Sequence, residues 1–465
     1  MIKYMKLYKF PKSYDTLNSE QKLIFNILKY GYDSHIHYFI TGDAGVGKSY
    51  LIDVFTDFCK INNINIVKTA PTGVAATNIK GTTYHKQFKL PLSVLTEQIE
   101  PTQFANMYKV LQYMDILFID EIGMARVDAF DNIMRQVQEI NKIRAKFNKQ
   151  PVQVILSGDF GQLQPVVTDQ DKINYQKLYQ KDIGIGCCYN SHWWTDMDFK
   201  PLILTTPMRQ SDAAFCTALN NIKIGIKQDI DYLNQNSAQS EIKNGIWLCG
   251  YNNTAAHKNA LGIFNLPGKE YHSDAKIIGK ANIKHTNMAE KLIYKKNARV
   301  MMTMRDLNQP RSPYCNGSLG TIENISPSGA ITIRLDTGIK TIVNKIKLPF
   351  IEYNVVNGRM EAKEVGYVIQ YPFKIGYAIT IHKSQGQTYD AMNLVPEIFT
   401  PGQLYTALSR CKMLQNIYIQ PDQYGNKITE KKIMPNIDIV KFMIKLESDY
   451  NTYKDWYMNT IGYSE

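Results

Sequence analysis

Short apolar runs alternate with helical patterns through the first two hundred residues: HYFI, then NINIVKTA, then DILFID, then VQVILSG, each ending in a polar or glycine-rich loop. That order predicts an α/β fold, a parallel sheet whose strands are joined by crossover helices and whose ligands gather at the carboxyl ends of the strands. From about residue 275 to 370 the texture changes. GAITIRLDTG and IKTIVNKIKL read as strands, with turn signals at Ser328-Gly329, Thr337-Gly338 and Asn357-Gly358, and predict a small β-barrel inserted into the second half. Around Gly376 the mixed pattern resumes in KIGYAITIHKSQGQTYD and PGQLYTALSRCK, with no internal repeat and no low-complexity linker along the way.

One of the early runs carries chemistry. In FITGDAGVGKSYLIDVF, Phe39 to Phe55, a strand leads into three glycines and then a lysine and serine that open a helix. Gly42, Gly45 and Gly47 fall where side chains would block a ligand, so backbone N–H groups can converge on phosphate oxygens. Gly42 to Ser49 fits G-x-x-x-x-G-K-[ST], in which Lys48 reaches the outer phosphates, Ser49 ligates Mg²⁺ and the helix dipole favours the anion. The competing reading is a glycine-rich turn without a ligand. Downstream, DILFIDE ends an apolar strand in Asp120 and Glu121; in a phosphate-loop enzyme an aspartate there holds Mg²⁺ and an adjacent glutamate orients the attacking water. VQVILSGDFGQLQPVV ends in Asp159 and Gln162, whose carboxamide can sense the terminal phosphate, or which form a polar turn closed by Pro165.

Bulk numbers narrow the class. At 465 residues the chain has room for about three structural units at ~150 residues each. A hydrophobic content of 44% and a charged content of 21% describe a folded chain and exclude a disordered one. A net charge of +12 suits a polyanionic partner, and the 30 tyrosines and 18 phenylalanines include potential base-stacking surfaces. Seven cysteines without a C-x-x-C pair point to an intracellular, reducing compartment, and eight histidines without zinc-ligand spacing predict no structural metal. His35 and His37 are expected on one face of a short strand. No uncharged apolar stretch reaches about 18 residues, so neither a signal peptide nor membrane insertion is expected.

Together the motifs resemble the Pif (petite integration frequency) family of superfamily 1B DNA helicases, in the branch that also holds RecD-like enzymes. The resemblance runs from about Leu17 to Cys411 in the family's order: LNSEQKLIFN, the phosphate loop, APTGVAATNIKGTTYH, FIDEIGM, RVDAFDNIMRQVQEINKIR, LSGDFGQLQPV, TIHKSQGQT and QLYTALSR. It departs at Gln164, where proline is usual, at Gly123, where serine is common, and at Met208, where an aromatic is frequent.

The resemblance implies a P-loop NTPase with two tandem RecA-like motor domains and an SH3-like β-barrel insertion. Residues 1–200 would form the first motor domain, with a short wedge element at about 86–111; 201–274 and 373–440 the second; 275–372 the barrel; and 441–465 a helical tail. It implies ATP and Mg²⁺ as cofactors. Gln21 would read the adenine edge, and Gly42, Ala44, Gly45, Val46, Gly47, Lys48, Ser49, Tyr50, Gln385 and Gly386 would contact the nucleotide. Arg209 and Arg410 would approach the terminal phosphate from the second motor domain. Pro71, Thr72, Gly73, His85, Asn316, Thr380, His382 and Lys383 would lie along DNA, while Phe88 is open between a wedge and a packing role. The implied activity is 5′-to-3′ translocation on single-stranded DNA by a monomer that opens forked or tailed duplex, with G-quadruplexes among relatives' substrates. A RecD-like subunit needing a partner complex and a non-catalytic single-stranded DNA-binding protein are the alternatives.

Overall fold

The computed structural model describes residues 8–90, 108, 111–208, 212–283, 286, 288–304, 313–356 and 359–461, without the side chains of Val74 and 351–363. The chain divides into two compact units, residues 1–211 with 435–465 and residues 212–434. Among the described residues no helix is long and apolar enough to cross a membrane.

The first unit is built on a parallel sheet. Its strands are β1 (Tyr38–Gly42), β2 (Ile66–Ala70), β3 (Thr82–Thr83), β4 (Ile116–Ile119), β5 (Gln153–Ser157) and β6 (Lys200–Leu204), in the order β3-β2-β4-β5-β1-β6. Every residue of β4 and β5 is buried, as expected of strands covered on both faces. Alternate side chains serve opposite cores. Phe39, Leu117, Val154 and Leu156 pack with Phe130, Ile133 and Val137 of the helix Val127–Ala145. Tyr38, Ile40, Phe118 and Ile155 pack on the other side with Phe25, Phe55 and Phe58 of the helices Ser19–Ser34 and Lys48–Ile61.

Two boundaries differ from the sequence expectation. β6 pairs with β1 from Tyr38↔Lys200 to Gly42↔Leu204 and belongs to the first sheet, so the first unit continues to Ser211 instead of stopping at residue 200. The C-terminal helix Ile437–Ile461 is part of that unit as well, with Ile439 and Leu446 in one core, Tyr450, Tyr453 and Tyr457 in the other, and a 2.9 Å bond between the hydroxyls of Tyr38 and Tyr453. Its apolar residues pack beside β6.

The second unit has its own parallel sheet, of β7 (Ile246–Cys249), β18 (Ala378–Thr380), β19 (Met392–Leu394) and β20 (Ile417–Ile419), in the order β18-β7-β19-β20. Between β7 and β18, the described residues form three antiparallel sheets. β11 (Arg299–Met302), β12 (Leu319–Ile325), β13 (Ile331–Leu335), β14 (Lys340–Val343) and β17 (Phe373–Ile375) make one, in the order β14-β13-β12-β11-β17. β9 (Lys276–Gly279) joins the long hairpin of β15 (Ile346–Val356) and β16 (Arg359–Gln370), and β8 (Tyr271–Asp274) pairs with β10 (Lys291–Tyr294). The texture change read from sequence is therefore a parallel-to-antiparallel change.

His35 and His37 do not share a strand face. His35 caps the first helix in a left-handed conformation (φ 59°), and His37, just before β1, accepts a 3.0 Å bond at Nδ1 from the Val154 amide. Burial, with the nearby His35, pushes the His37 pKa down from 6.5 to about 4. Since the unfolded chain then binds more protons between these values, His37 contributes stability that is complete above pH 6.5 and is lost as the pH falls towards 4, up to about 3 kcal/mol. Urea unfolding from pH 7.5 to 4.5 should show a stability difference between wild type and His37→Asn, which keeps an acceptor, that closes or reverses as the pH falls; a constant difference would contradict the assignment.

Candidate functional site

The loop from β1 into the helix Lys48–Ile61 has Gly42, Gly45 and Gly47 at φ 141°, 89° and 85°, conformations that side chains disfavour. Space excludes them too: a Cβ on Gly42 would lie 2.2 Å from the Leu204 carbonyl oxygen, and one on Gly47 2.6 Å from Gln21 Nε2. Lys48 Nζ donates to the carbonyls of Gly42 (2.7 Å) and Asp43 (3.0 Å), arching across the loop it must serve. Val46 is buried in the core beneath, which leaves its backbone for a ligand, whereas Ser49 and Tyr50 are exposed on the first turn. Tyr50 shares a hydrogen bond with the hydroxyl of Thr16.

The order β4-β5-β1 sets the other acidic and amide groups beside this loop. Asp120 follows β4, its amide donating to the Thr69 carbonyl at 2.8 Å. Burial pushes the Asp120 carboxyl up from its usual range, against the pull of the Ser157 hydroxyl, the Glu121 amide and the Lys48 charge. Glu121 is left-handed at φ 49°, a strain of about 1–3 kcal/mol for a non-glycine residue, and it opens the short turn Ile122–Met124. After β5, Asp159 accepts from the Gly161 amide (2.9 Å) and from Gln162 Nε2 (3.2 Å), with both side chains buried. A Cβ at Gly123 would lie 3.0 Å from the Asp159 carbonyl oxygen, so a side chain there requires the loop after β5 to yield slightly.

Three supports of this site come from segments outside the phosphate loop. Gln21, 1% exposed, forms a capping box with Asn18 and donates to the Gly47 carbonyl at 3.4 Å. Glu20 accepts from the amides of Thr205 (2.8 Å) and Thr206 (3.1 Å), and the Met208 amide donates to the Gly45 carbonyl at 2.9 Å. The segment leading to Arg209 is thus bonded to the phosphate loop from within the first unit, not presented by the second; Arg209 itself lies outside the described residues. The helix-capping pattern Asn18-x-x-Gln21 was the available clue.

The expected nucleic-acid residues divide between the units. In the first, Pro71, Thr72 and Gly73 are partly exposed at the end of β2, with Thr72 capping the helix Gly73–Asn78. His85 lies against Tyr84 at 4.4 Å between ring centroids, and burial with the Arg126 charge pushes its pKa down to about 4. Phe88 is fully buried among Leu90, Phe130 and Met134, and its carbonyl accepts from Gln136 Nε2; it is a packing residue, and the proposed wedge role is corrected. Most of the 86–111 segment lies outside the described residues.

In the second unit, Thr380 is buried, and His382 and Lys383 lead a short turn from the end of β18 to Gln385 and Gly386 (φ 76°), where Gln385 is buried and Gly386 exposed. Asn316 is partly exposed, and a Cβ on the following Gly317 would lie 3.0 Å from Gln387 Oε1, which places the NGSLG turn beside this segment. Arg410 is 2% exposed and donates to the Thr406 carbonyl and the Ser409 hydroxyl, each at 2.9 Å.

Gly47→Ala should weaken binding of a fluorescent ATP analogue by ~10-fold or more, since left-handed strain of about 1–3 kcal/mol adds to the clash with Gln21. In a Gln21→Ala background, where the clash is gone, Gly47→Ala should still weaken binding in the same titration; equal affinities of Gln21→Ala and the double variant would mean the strain has no share.

The PIF1-like helicase family model matches residues 16–229. The Campylobacter jejuni protein named ATP-dependent DNA helicase Pif1 is 26% identical over 80% of this chain and 86% of its own length. The zebrafish (Danio rerio) protein named ATP-dependent DNA helicase PIF1 is 26% identical over 93% of this chain, which spans 64% of that protein. The crystal structure of Bacteroides sp Pif1 in complex with ADP-AlF4 superposes with a TM-score of 0.78 at 28% identity, covering 94% of this chain and 98% of that one. Two further Pif1 structures match at 28% identity. One is bound to ssDNA (TM-score 0.65, covering 93% and 97%), and one is described as two coordinating Pif1 helicases at forked dsDNA (TM-score 0.67, covering 94% and 98%). With glycine loop, acidic strand end and buried glutamine arranged on one sheet, the chain is similar to PIF1-like helicases over nearly its full length.

Proposed function

We propose that this chain is an ATP-dependent DNA helicase that moves 5′ to 3′ along single-stranded DNA and opens forked or tailed duplex. The observation that carries the reading is the side-by-side placement of Gln162, Asp120 with Glu121, and the Lys48 loop at the carboxyl ends of β5, β4 and β1. Adjacent strands lie about 4.8 Å apart, so these groups can converge on one triphosphate.

Ser49 and Asp120 supply oxygen donors that fit Mg²⁺, a cation that keeps waters and substrate phosphates as its remaining ligands. The ion would neutralise charge on the phosphates. Lys48 exchanges the carbonyls of Gly42 and Asp43 for phosphate oxygens, Glu121 accepts a proton from the attacking water, and Gln162 orients that water. Gln21 reads the adenine edge from the helix start on which its capping box fixes it. Arg410 serves the terminal phosphate by exchanging its Thr406 and Ser409 acceptors for phosphate oxygens; Arg209 is assigned the same role. Arginines of this kind contribute ~10³ to 10⁵ in rate.

The antiparallel sheets of residues 271–375 correspond in this reading to the family's SH3-like insertion and help to hold the strand. Each base-pair step opened costs about 1.4 kcal/mol of stacking. One chain suffices for the cycle, so the initial unwinding rate should rise in proportion to protein concentration.

Partial duplexes with matched 5′ or 3′ tails test the assignment. Wild type should open only the 5′-tailed duplex with ATP, and Lys48→Ala should open neither. Opening of the 3′-tailed duplex alone would reverse the polarity, and ATP turnover without opening of either would point to a missing partner. Glu121→Gln should retain binding of the ATP analogue while ATP turnover falls by ~10²- to 10⁴-fold, as measured by phosphate release; a parallel loss of binding would remove Glu121 from the chemistry.

A further inference from the structure

The carboxyl ends of β18, β7 and β19 are adjacent in the second unit, and the loop after each carries a ring: His382, Tyr251 and Phe399. Tyr251 and Phe399 stack with centroids 4.8 Å apart and planes inclined by 14°. His382 lies 6.3 Å from Phe399 at 19°, so the three planes are nearly parallel. Tyr251 is 50% exposed and Phe399 45% exposed, although burying such rings would be favourable. They are open to a ligand at the edge where parallel sheets bind one.

The pair is held in place before anything binds. Glu397 accepts from the amides of Gly250 (3.2 Å) and Tyr251 (3.4 Å) and from the Thr254 hydroxyl (2.8 Å), tying the loop after β7 to the one after β19. Gly250 permits the contact, since a Cβ there would lie 2.1 Å from the Glu397 carbonyl oxygen. Charge adjoins the rings. Lys383 is exposed, with Nζ 3.4 Å from Asn252 Oδ1, and Lys374 lies close enough to feel it: burial, with the Lys383 charge added, pushes the Lys374 pKa down to about 8. Burial also keeps the His382 ring neutral, because its pKa is lowered.

We propose that Tyr251, Phe399 and His382 form a stacking platform for the bases of single-stranded DNA, with Lys383 binding an adjoining phosphate. The proposal rests on the reading of the chain as a DNA motor and adds to it a contact that recognises bases as well as backbone. Parallel rings beside an ammonium match the alternation of flat base and phosphate along a strand. Because every base has a π-face, the platform tolerates any sequence, as a translocating enzyme requires.

The test compares an oligo-dT with an abasic oligonucleotide of the same length and charge, by fluorescence anisotropy on the full chain. Wild type should prefer oligo-dT by ~10- to 100-fold, given about 1–3 kcal/mol per stacked base. Tyr251→Leu and Phe399→Leu should each reduce that preference by ~5-fold or more, Tyr251→Phe should keep it, and affinity for the abasic strand and its salt slope should stay unchanged. Tyr251→Trp adds a direct reporter, whose emission relative to wild type should be quenched by oligo-dT and not by the abasic strand. Undiminished preference in both leucine variants, or equal losses on both oligonucleotides, overturns the platform alone. Failure of wild type to bind either strand overturns the motor reading with it.

Discussion

The register of β1 between β5 and β6 is the constraint on which the nucleotide site depends. β1 pairs with β5 from Tyr38↔Ile155 and with β6 from Tyr38↔Lys200, and its last residue, Gly42, meets Leu204 with no room for a side chain. A slip of one residue would turn Phe39 and Ile40 to the wrong cores and move the start of the phosphate loop by about 3.3 Å. The two dense aromatic clusters on either face therefore serve the chemistry at one remove: they fix where the loop begins.

The loop itself is under tension. Glycines in left-handed conformations, Lys48 turned back onto loop carbonyls, and Glu121 in a conformation unfavourable for its side chain all sit at strand ends, where ordinary strand or helix geometry has been given up. The surrounding sheet over-determines these positions, through the Asp120 amide on Thr69, Met208 on Gly45 and Gln21 on Gly47. Such polar ties are directional, and they hold a ligand-shaped loop where apolar packing could not.

The second unit solves a similar problem with a different device. Its short parallel sheet is joined by an acidic residue, Glu397, whose carboxylate gathers two amides from the neighbouring loop and a hydroxyl from the helix that follows it. The consequence is an ordered pair of exposed rings near Lys383, at the same carboxyl edge that carries Thr380 and His382. Both units thus place their candidate ligand groups at strand ends, the first with amides and carboxylates, the second with rings and ammonium groups.

Groups whose function lies in a contiguous pattern were legible from residues alone. The spacing Gly42 to Ser49 dictates its own backbone, DILFIDE and VQVILSG declare buried strands ending in polar groups, and the turn dipeptides Ser328-Gly329 and Thr337-Gly338 marked the change to antiparallel pairing, Asn357-Gly358 lying outside the described residues. What required the tertiary structure is every relation between distant segments. β6 has an apolar run that any sheet could accept, and only its pairing with β1 assigns Leu204 and the chain up to Ser211 to the first unit. Phe88 looks the same in sequence whether it is a wedge or a core residue, and only its full burial in the core that also holds Phe130 and Met134 decides. Tyr251 and Phe399 are separated by 147 intervening residues, 252 to 398, with nothing local to link them; Glu397 and the order β18-β7-β19 make them neighbours. Short-range patterns are written in backbone propensities and so can be read directly, whereas long-range contacts are chosen by packing and register, which no single segment contains.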